Sequence, residues 1–328
     1  MDLKKLNSFT TSALGLGCMG MSGAYGAADR QESTATVHAA LDAGITLLDT
    51  GDFYGMGHNE LLLADALRAV PRDSYQLSVK FGAQVGPDGS FVGFDGRPNA
   101  VKTALAYSLQ RLGTDYVDVY RPARLDPAVP IEDTVGAIGD LVDAGYVRHI
   151  GLSEVGAETI RRAASVRPIS DLQIEYSLAD RGVERKILGT CRELGIGITA
   201  YGVLSRGLIS GHWTKTSGGQ GDSRLGGPRF AAENLDRNLA LVEALRGVAD
   251  ELGITVAQTA IAWVAARGAD VVPLVGAKTR ARLAESLGAV GVTLTAAQLT
   301  AIEAAVPAGQ FVGDRYPAAH MAALDSER

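Results

Sequence analysis

Short apolar or β-branched runs alternate with longer segments of helical spacing along almost the whole chain. This alternation limits the possible folds more than any other feature of the sequence. Ile45–Asp49, Tyr75–Lys80, Tyr116–Tyr120, Val147–Leu152, Leu172–Glu175, Ile196–Tyr201 and Val271–Leu274 read as strands, with a weaker one near Leu14–Gly17. The segments Glu32–Ala43, Asn59–Ala69, Asn99–Leu112, Ile131–Ala144, Ala157–Ser165, Val183–Leu194, Arg237–Leu252, Val256–Ala266 and Arg280–Gly288 carry helical spacing. Pro98 and Asn99 are helix-start signals, and Gly145 and Gly195 stop signals. Strands and helices that alternate at this pitch imply a parallel sheet covered by helices. About eight repeats without a linker predict an α/β fold of one domain over residues 1–328, a single (β/α)8 (TIM) barrel. An open doubly wound sheet is the competing arrangement.

Two segments leave the pattern. Ser205–Asn234, after the seventh strand, is rich in glycine and polar residues and long for a connection. Loops of that length are usually functional or mobile, and a lid over a cofactor is the functional reading. A last helix near Ala296–Ala305 precedes an irregular tail. Gly15, Gly17 and Gly20 spell G-x-G-x-x-G, but the text after them is too short and glycine-rich to open the helix that a dinucleotide fingerprint requires.

Asp49 and Lys80 end successive expected strands, and Tyr54 follows in the loop after the first of them. In a barrel, all three belong to the C-terminal mouth, where active sites lie. A free phenol has a pKa of about 10. An ammonium beside it favours the phenolate, and a carboxylate can hold that ammonium in place. The trio therefore has the makings of a tuned proton donor, although a buried structural Asp–Lys pair has the same spelling.

Several function classes are disfavoured. The formal net charge of −6 and the absence of Lys/Arg-rich runs argue against nucleic acid. No apolar run approaches the length of a membrane span, and no signal-peptide core opens the chain, so a cytoplasmic location is expected. Cys18 and Cys191 make no disulfide framework and read as buried free thiols. His38, His58, His149, His212 and His320 show no metal-ligand spacing, so no metal is expected.

The order of motifs resembles the aldo-keto reductases over nearly the whole length. LGLGCMGMSG, LLDTGDFYGMGHNELLLADAL, SVKFG, GYVRHIGLSEVGAETI, DLQIEYSL, ITAYGVLSRGLISG and VVPLVGAKTRARLAESLGAV each resemble a stretch of that family. The resemblance implies reduction of aldehydes or ketones with NADPH, or oxidation of the matching alcohols, with a small-molecule carbonyl or alcohol as partner. It makes Tyr54 the general acid, tuned by Lys80 and Asp49. Ser153, Gln173 and, where the family usually has Asn, Glu154 fall on the positions that bind the nicotinamide carboxamide. Tyr201 falls on the aromatic under the nicotinamide ring. Leu204, Arg206 and Gly207 fall on the pyrophosphate stretch. Lys278 and Arg282 fall near the 2′-phosphate, favouring NADPH over NADH, and Glu285 and Ser286 fall on the adenine-contacting pair.

One departure bears on the chemistry. The family commonly writes a catalytic histidine where DYVDVYRPARLDP places Ala123. Arg121 or Arg124 could supply a replacement donor, or water could fill the space beside the alanine. Phe53, Tyr25 and Trp213 are candidate pocket walls. The alternative on the same scaffold is an NADPH-binding sensor or regulatory subunit with weak turnover. Substrate and oligomeric state are not legible in one chain.

Overall fold

The structure, a computed structural model, describes residues 1–328. A hairpin comes first, β1 (Leu3–Leu6) and β2 (Phe9–Ser12). Eight parallel strands then close on themselves: β3 (Gly15–Gly17), β4 (Leu47–Gly51), β5 (Gln76–Phe81), β8 (Val117–Pro122), β9 (Val147–Ser153), β10 (Ile169–Glu175), β11 (Gly197–Tyr201) and β12 (Val271–Gly276). A second hairpin, β6 (Ala83–Val85) with β7 (Phe91–Phe94), stands outside the barrel after β5. The expected closed barrel is present, and each expected strand lies within a few residues of an observed one.

Helices cover the barrel where the apolar spacing placed them, including Arg30–Asp42, Pro98–Leu112, Ile131–Asp143 and Ala232–Leu252. Local chemistry fixes their ends. Asp29 accepts from the Glu32 N–H at the start of the first. Thr255 and Gln258 form a reciprocal capping box at Val256–Ala265, and Thr295 and Gln298 repeat it at Ala296–Ala305. The glycine-rich motif at the front continues from β3 into a single 3-10 turn, Met19–Ser22, so no α-helix opens at its last glycine. No helix is long and apolar enough to cross a membrane.

The first hairpin floors the N-terminal end of the barrel. Leu6 and Phe9 pack with Leu47, Val119 and Val272 in a buried apolar cluster. A Cβ at Gly197 would lie 2.5 Å from the Leu6 side chain, so β11 needs glycine there. Lys4 reaches across to the carbonyls of Gly268 and Val271, at 3.2 and 2.6 Å.

Above that floor the interior turns polar. Inward-facing residues of a parallel strand recur every second position, and β10 places Asp171, Gln173 and Glu175 that way, all buried. Asp171 receives Arg121 of β8, with Nη1 at 3.0 Å and Nη2 at 3.3 Å. Barrel interiors are usually filled by branched apolar side chains, so this ion pair is a local exception, matched on every side except at Arg121 Nε, which has no partner. Ser78 accepts from Arg121 at 3.1 Å and donates to Asp49 at 2.8 Å, joining this layer to the one above.

Candidate active site

Register brings the upper layer together. Asp49 of β4 pairs with Ser78 of β5, so Asp49, Ser78 and Lys80 share the inner face. The Lys80 ammonium is ion-paired to Asp49 Oδ1, and both side chains are only 4% exposed. Gln173 donates to Asp49 Oδ2 at 2.7 Å. Lys80 Nζ lies 5.1 Å from the centre of the Tyr54 ring. The three residues singled out in the sequence therefore meet at the C-terminal mouth.

Their electrostatics differ from the simple expectation of an acidified phenol. Burial first, and the Asp49 carboxylate second, push the Tyr54 phenol well above its ordinary value. Burial also lowers the Lys80 ammonium, with Asp49 opposing that shift. At neutral pH Tyr54 is thus a protonated phenol, the state required of a proton donor.

The trio opens into a cleft of about 770 Å³. Most of the expected cofactor residues line it: Ser153, Gln173, Tyr201, Leu204, Arg206 and Gly207 on one side, and Lys278, Arg282, Glu285 and Ser286 on the other. Tyr25, Phe53, Arg124 and Trp213 complete the wall. The connection after β11 straddles the cleft. Asp222 bridges to Tyr25, Ser223 Oγ donates to the Ala24 carbonyl at 2.5 Å, and His212 pairs with Glu285 at 2.9 Å.

The chemistry of this wall suits a long, acceptor-rich anion. Among the residues that line the cleft, Trp213 Nε1 is buried with no hydrogen-bond partner, and Arg206 Nη2 has only Glu175 Oε2 at 3.6 Å. Unpaired buried donors are costly, so an acceptor from a ligand would relieve them.

Two sequence expectations are corrected. Glu154 does not reach the cleft. Its backbone adopts φ +53°, and both carboxylate oxygens are taken. Arg315 donates to Oε1 and Oε2 at 2.7 and 2.6 Å, Tyr201 and the Glu175 N–H to Oε1, and Ser326 to Oε2. Burial works to raise this carboxyl, but Arg315, with Arg124 and Ser326, outweighs it and holds the group at about 2. The sequence could not show this because Arg315 comes from a tail without periodicity. Arg121 is no pocket residue either, since its guanidinium is spent on Asp171 inside the barrel. Arg280, between Lys278 and Arg282 in the chain, pairs with Glu32.

The tail and the second hairpin supply what sequence reasoning missed. Tyr316 bonds to the Tyr201 hydroxyl at 3.0 Å, and the Arg206 guanidinium lies 4.1 Å from the centre of its ring. Beside the cleft is an apolar cavity of about 200 Å³, walled by Phe53, Phe91, Phe94, Ala123, Tyr316 and Leu324 among others. The aromatic and β-branched run Phe91–Phe94 after Asp88-Gly89 was the available signal for the hairpin.

A model of the "Aldo/keto reductase family" matches residues 13–307. The chain belongs to the aldo/keto reductase family. "Probable aldo-keto reductase 1" of Glycine max is 42% identical over 311 residues, covering 94% of this chain and 89% of that protein. A glycerol dehydrogenase from Gluconobacter oxydans superposes with a TM-score of 0.85 at 27% identity, covering 95% of this chain and 97% of the other. An aldo-keto reductase from Bacillus halodurans, in its holo form, gives 0.80 at 25% identity, covering 94% and 97%. Membership makes this aldo/keto reductase an oxidoreductase of carbonyl and alcohol groups that uses a nicotinamide cofactor and a small-molecule substrate.

Beside Tyr54, Asp52 carries its own testable consequence. Its Oδ1 has no partner, and burial first, then the Glu60 carboxylate, push its pKa up to about 7. A carboxyl raised on folding contributes stability below its unfolded value of about 4 and loses it as pH rises through 7. Asp52→Asn is therefore expected to gain roughly 1–3 kcal/mol over the wild type at pH 8 and little at pH 4. Urea denaturation at the two pH values checks this, and a gain that is equal at both would contradict it.

Proposed function

We propose that this chain is an NADPH-dependent reductase of aldehydes or ketones in which Tyr54 donates the proton. The observation that carries the reading is the meeting of Tyr54, Lys80 and Asp49 in the cleft that also holds Lys278 and Arg282. The bound cofactor would supply a hydride from its reduced nicotinamide ring. Ser153 and Gln173 would hold the carboxamide, Tyr201 the ring, and Leu204, Arg206 and Gly207 the pyrophosphate. Lys278 and Arg282 would take the 2′-phosphate, with Glu285 and Ser286 at the adenine.

The protein's own part is placement and proton supply. As negative charge develops on the carbonyl oxygen, the neutral Tyr54 phenol gives up its proton. The Lys80 ammonium, kept charged by Asp49, stabilises the phenolate left behind. A phenol held neutral favours the reductive direction at neutral pH. Ala123 offers no donor where the family commonly has histidine. Arg124, adjoining it and lining the same cleft, is the replacement we infer. The vacancy at 123 also favours a second reading, a dinucleotide-binding sensor. NADPH binding without loss of NADPH absorbance across a panel of aldehydes and ketones would select that reading over the reductase.

Cofactor choice is tested by substitution. Lys278 and Arg282 are both reached by solvent, so their charge-assisted contacts to phosphate together contribute about 1.5–3 kcal/mol. The pair Lys278→Ala and Arg282→Ala is therefore expected to shrink the preference for NADPH over NADH by about 10–100-fold in kcat/KM. An unchanged ratio would remove these residues from the phosphate site.

A further inference from the structure

We propose that the substrates of this site are 2-oxo acids with an apolar, aromatic-sized body, with Arg124 binding the carboxylate next to the reacting carbonyl. The proposal rests on the reductase reading and narrows its substrate class.

Arg124 is unusual among the arginines of the chain. The others without a carboxylate within ion-pair distance, Arg148, Arg185, Arg237 and Arg328, are all exposed to solvent. Arg124 is half-buried, and its contacts are with neutral oxygens only. Nη1 donates to the Ala123 carbonyl at 2.6 Å and to Ser153 Oγ at 3.4 Å, and Nη2 to the Tyr316 hydroxyl at 3.4 Å. The Glu154 carboxylate acts on it from beyond ion-pair distance and is already paired with Arg315. A guanidinium withdrawn from water without a directly paired counter-charge is unfavourable. An anion that arrives with the ligand removes the penalty, and a planar carboxylate matches the fork of N–H groups.

The surroundings fix where the rest of that ligand goes. Arg124, Phe53, Tyr316 and His320 line both the reaction cleft and the apolar cavity, so the guanidinium stands at the boundary between them. Beyond it the cavity is walled by Phe91, Phe94 and aliphatic side chains and contains no acidic residue. A benzene-sized or branched aliphatic group fits there. A carboxylate at the far end of a long ligand would find no cation. The charged end therefore stays at Arg124, with its carbonyl neighbour toward Tyr54. Alanine at 123 leaves room for the carboxylate where a larger side chain would intrude.

The step balances without a further reactant. A hydride, carrying two electrons, passes from the reduced nicotinamide to the carbonyl carbon, and the C=O π bond breaks. The Tyr54 proton goes to the oxygen. The products are a 2-hydroxy acid and oxidised cofactor, and water returns the proton to Tyr54.

The test compares phenylglyoxylate with its neutral isostere, phenylpropanedione. Both are titrated calorimetrically into the full chain saturated with NADP⁺, so that no reduction occurs. Wild type is expected to bind phenylglyoxylate about 10–100-fold more tightly than the diketone. Arg124→Met is expected to erase that preference, and Arg124→Lys to keep part of it. Equal binding of the two probes by wild type, or a preference that survives in Arg124→Met, overturns the proposal. The wild-type comparison and Arg124→Lys decide the matter if Arg124→Met fails to fold. A preference for phenylglyoxylate without NADPH oxidation would sink the reductase reading and leave the carboxylate site standing. Turnover of neutral aldehydes without that preference would do the reverse.

Discussion

Replacing Tyr54 by phenylalanine is expected to lower carbonyl turnover by about 10²–10⁴-fold while dinucleotide binding persists, the usual consequence of losing an acid–base group. The substitution is informative because little else changes. Phenylalanine keeps the ring that meets Phe53 edge-on, with centroids 4.8 Å apart, and that Lys80 lies against. The Asp49–Lys80 pair and its bonds from Ser78 and Gln173 do not involve the phenol oxygen. Only the O–H is lost. NADPH oxidation measures the first quantity, and quenching of protein fluorescence by the dinucleotide measures the second. Turnover within a few-fold of wild type would assign proton donation to another group.

Asp171→Ala is expected to be the most damaging single change to stability, at about 3–5 kcal/mol, because it strands a buried guanidinium. The Arg121 and Asp171 side chains are 1% and 0% exposed. Arg121 would keep only the Leu152 carbonyl and Ser78 Oγ as partners. Thr199, which donates to the same carboxylate, would lose its acceptor as well, and Ser170 would keep only the Ile150 carbonyl. The surface pair Arg161–Glu193 has comparable geometry but side chains 43% and 61% exposed. Glu193→Ala should cost under about 1 kcal/mol. Urea unfolding of both variants separates the cases, and similar losses would show that the buried pair adds nothing special. Because Ser78 links this layer to Asp49, Asp171→Ala should also disturb the site above it.

Much of the barrel was legible because strands and helices have different periods, and burial of one face writes that period into the sequence. The meeting of Asp49, Lys80 and Tyr54 was legible for the same reason, since parallel strands end at one mouth. Depth was not. Alternation says that Asp171 and Arg121 point inward but not that they meet, because the register between β8 and β10 runs through a strand lying between them. Glu154 looked like a cofactor ligand from its neighbours in the chain. Its true partner, Arg315, is 161 positions away in a segment whose order comes from ion pairs rather than from an apolar face. The second hairpin was lost between two stronger signals, its strands being three and four residues long.

The floor under the barrel bears on the order in which the molecule assembles. Leu3–Ser12 can pair with itself at once, but Leu6 needs the glycine face of β11, and Lys4 needs the carbonyl of Val271, 267 positions further on. Such distant contacts form late, after the intervening chain has given up its freedom. Until then Leu6 and Phe9 have only part of their apolar cluster, Leu47 and Val119, to pack against. Completion of the floor is therefore expected to follow closure of the barrel wall above it.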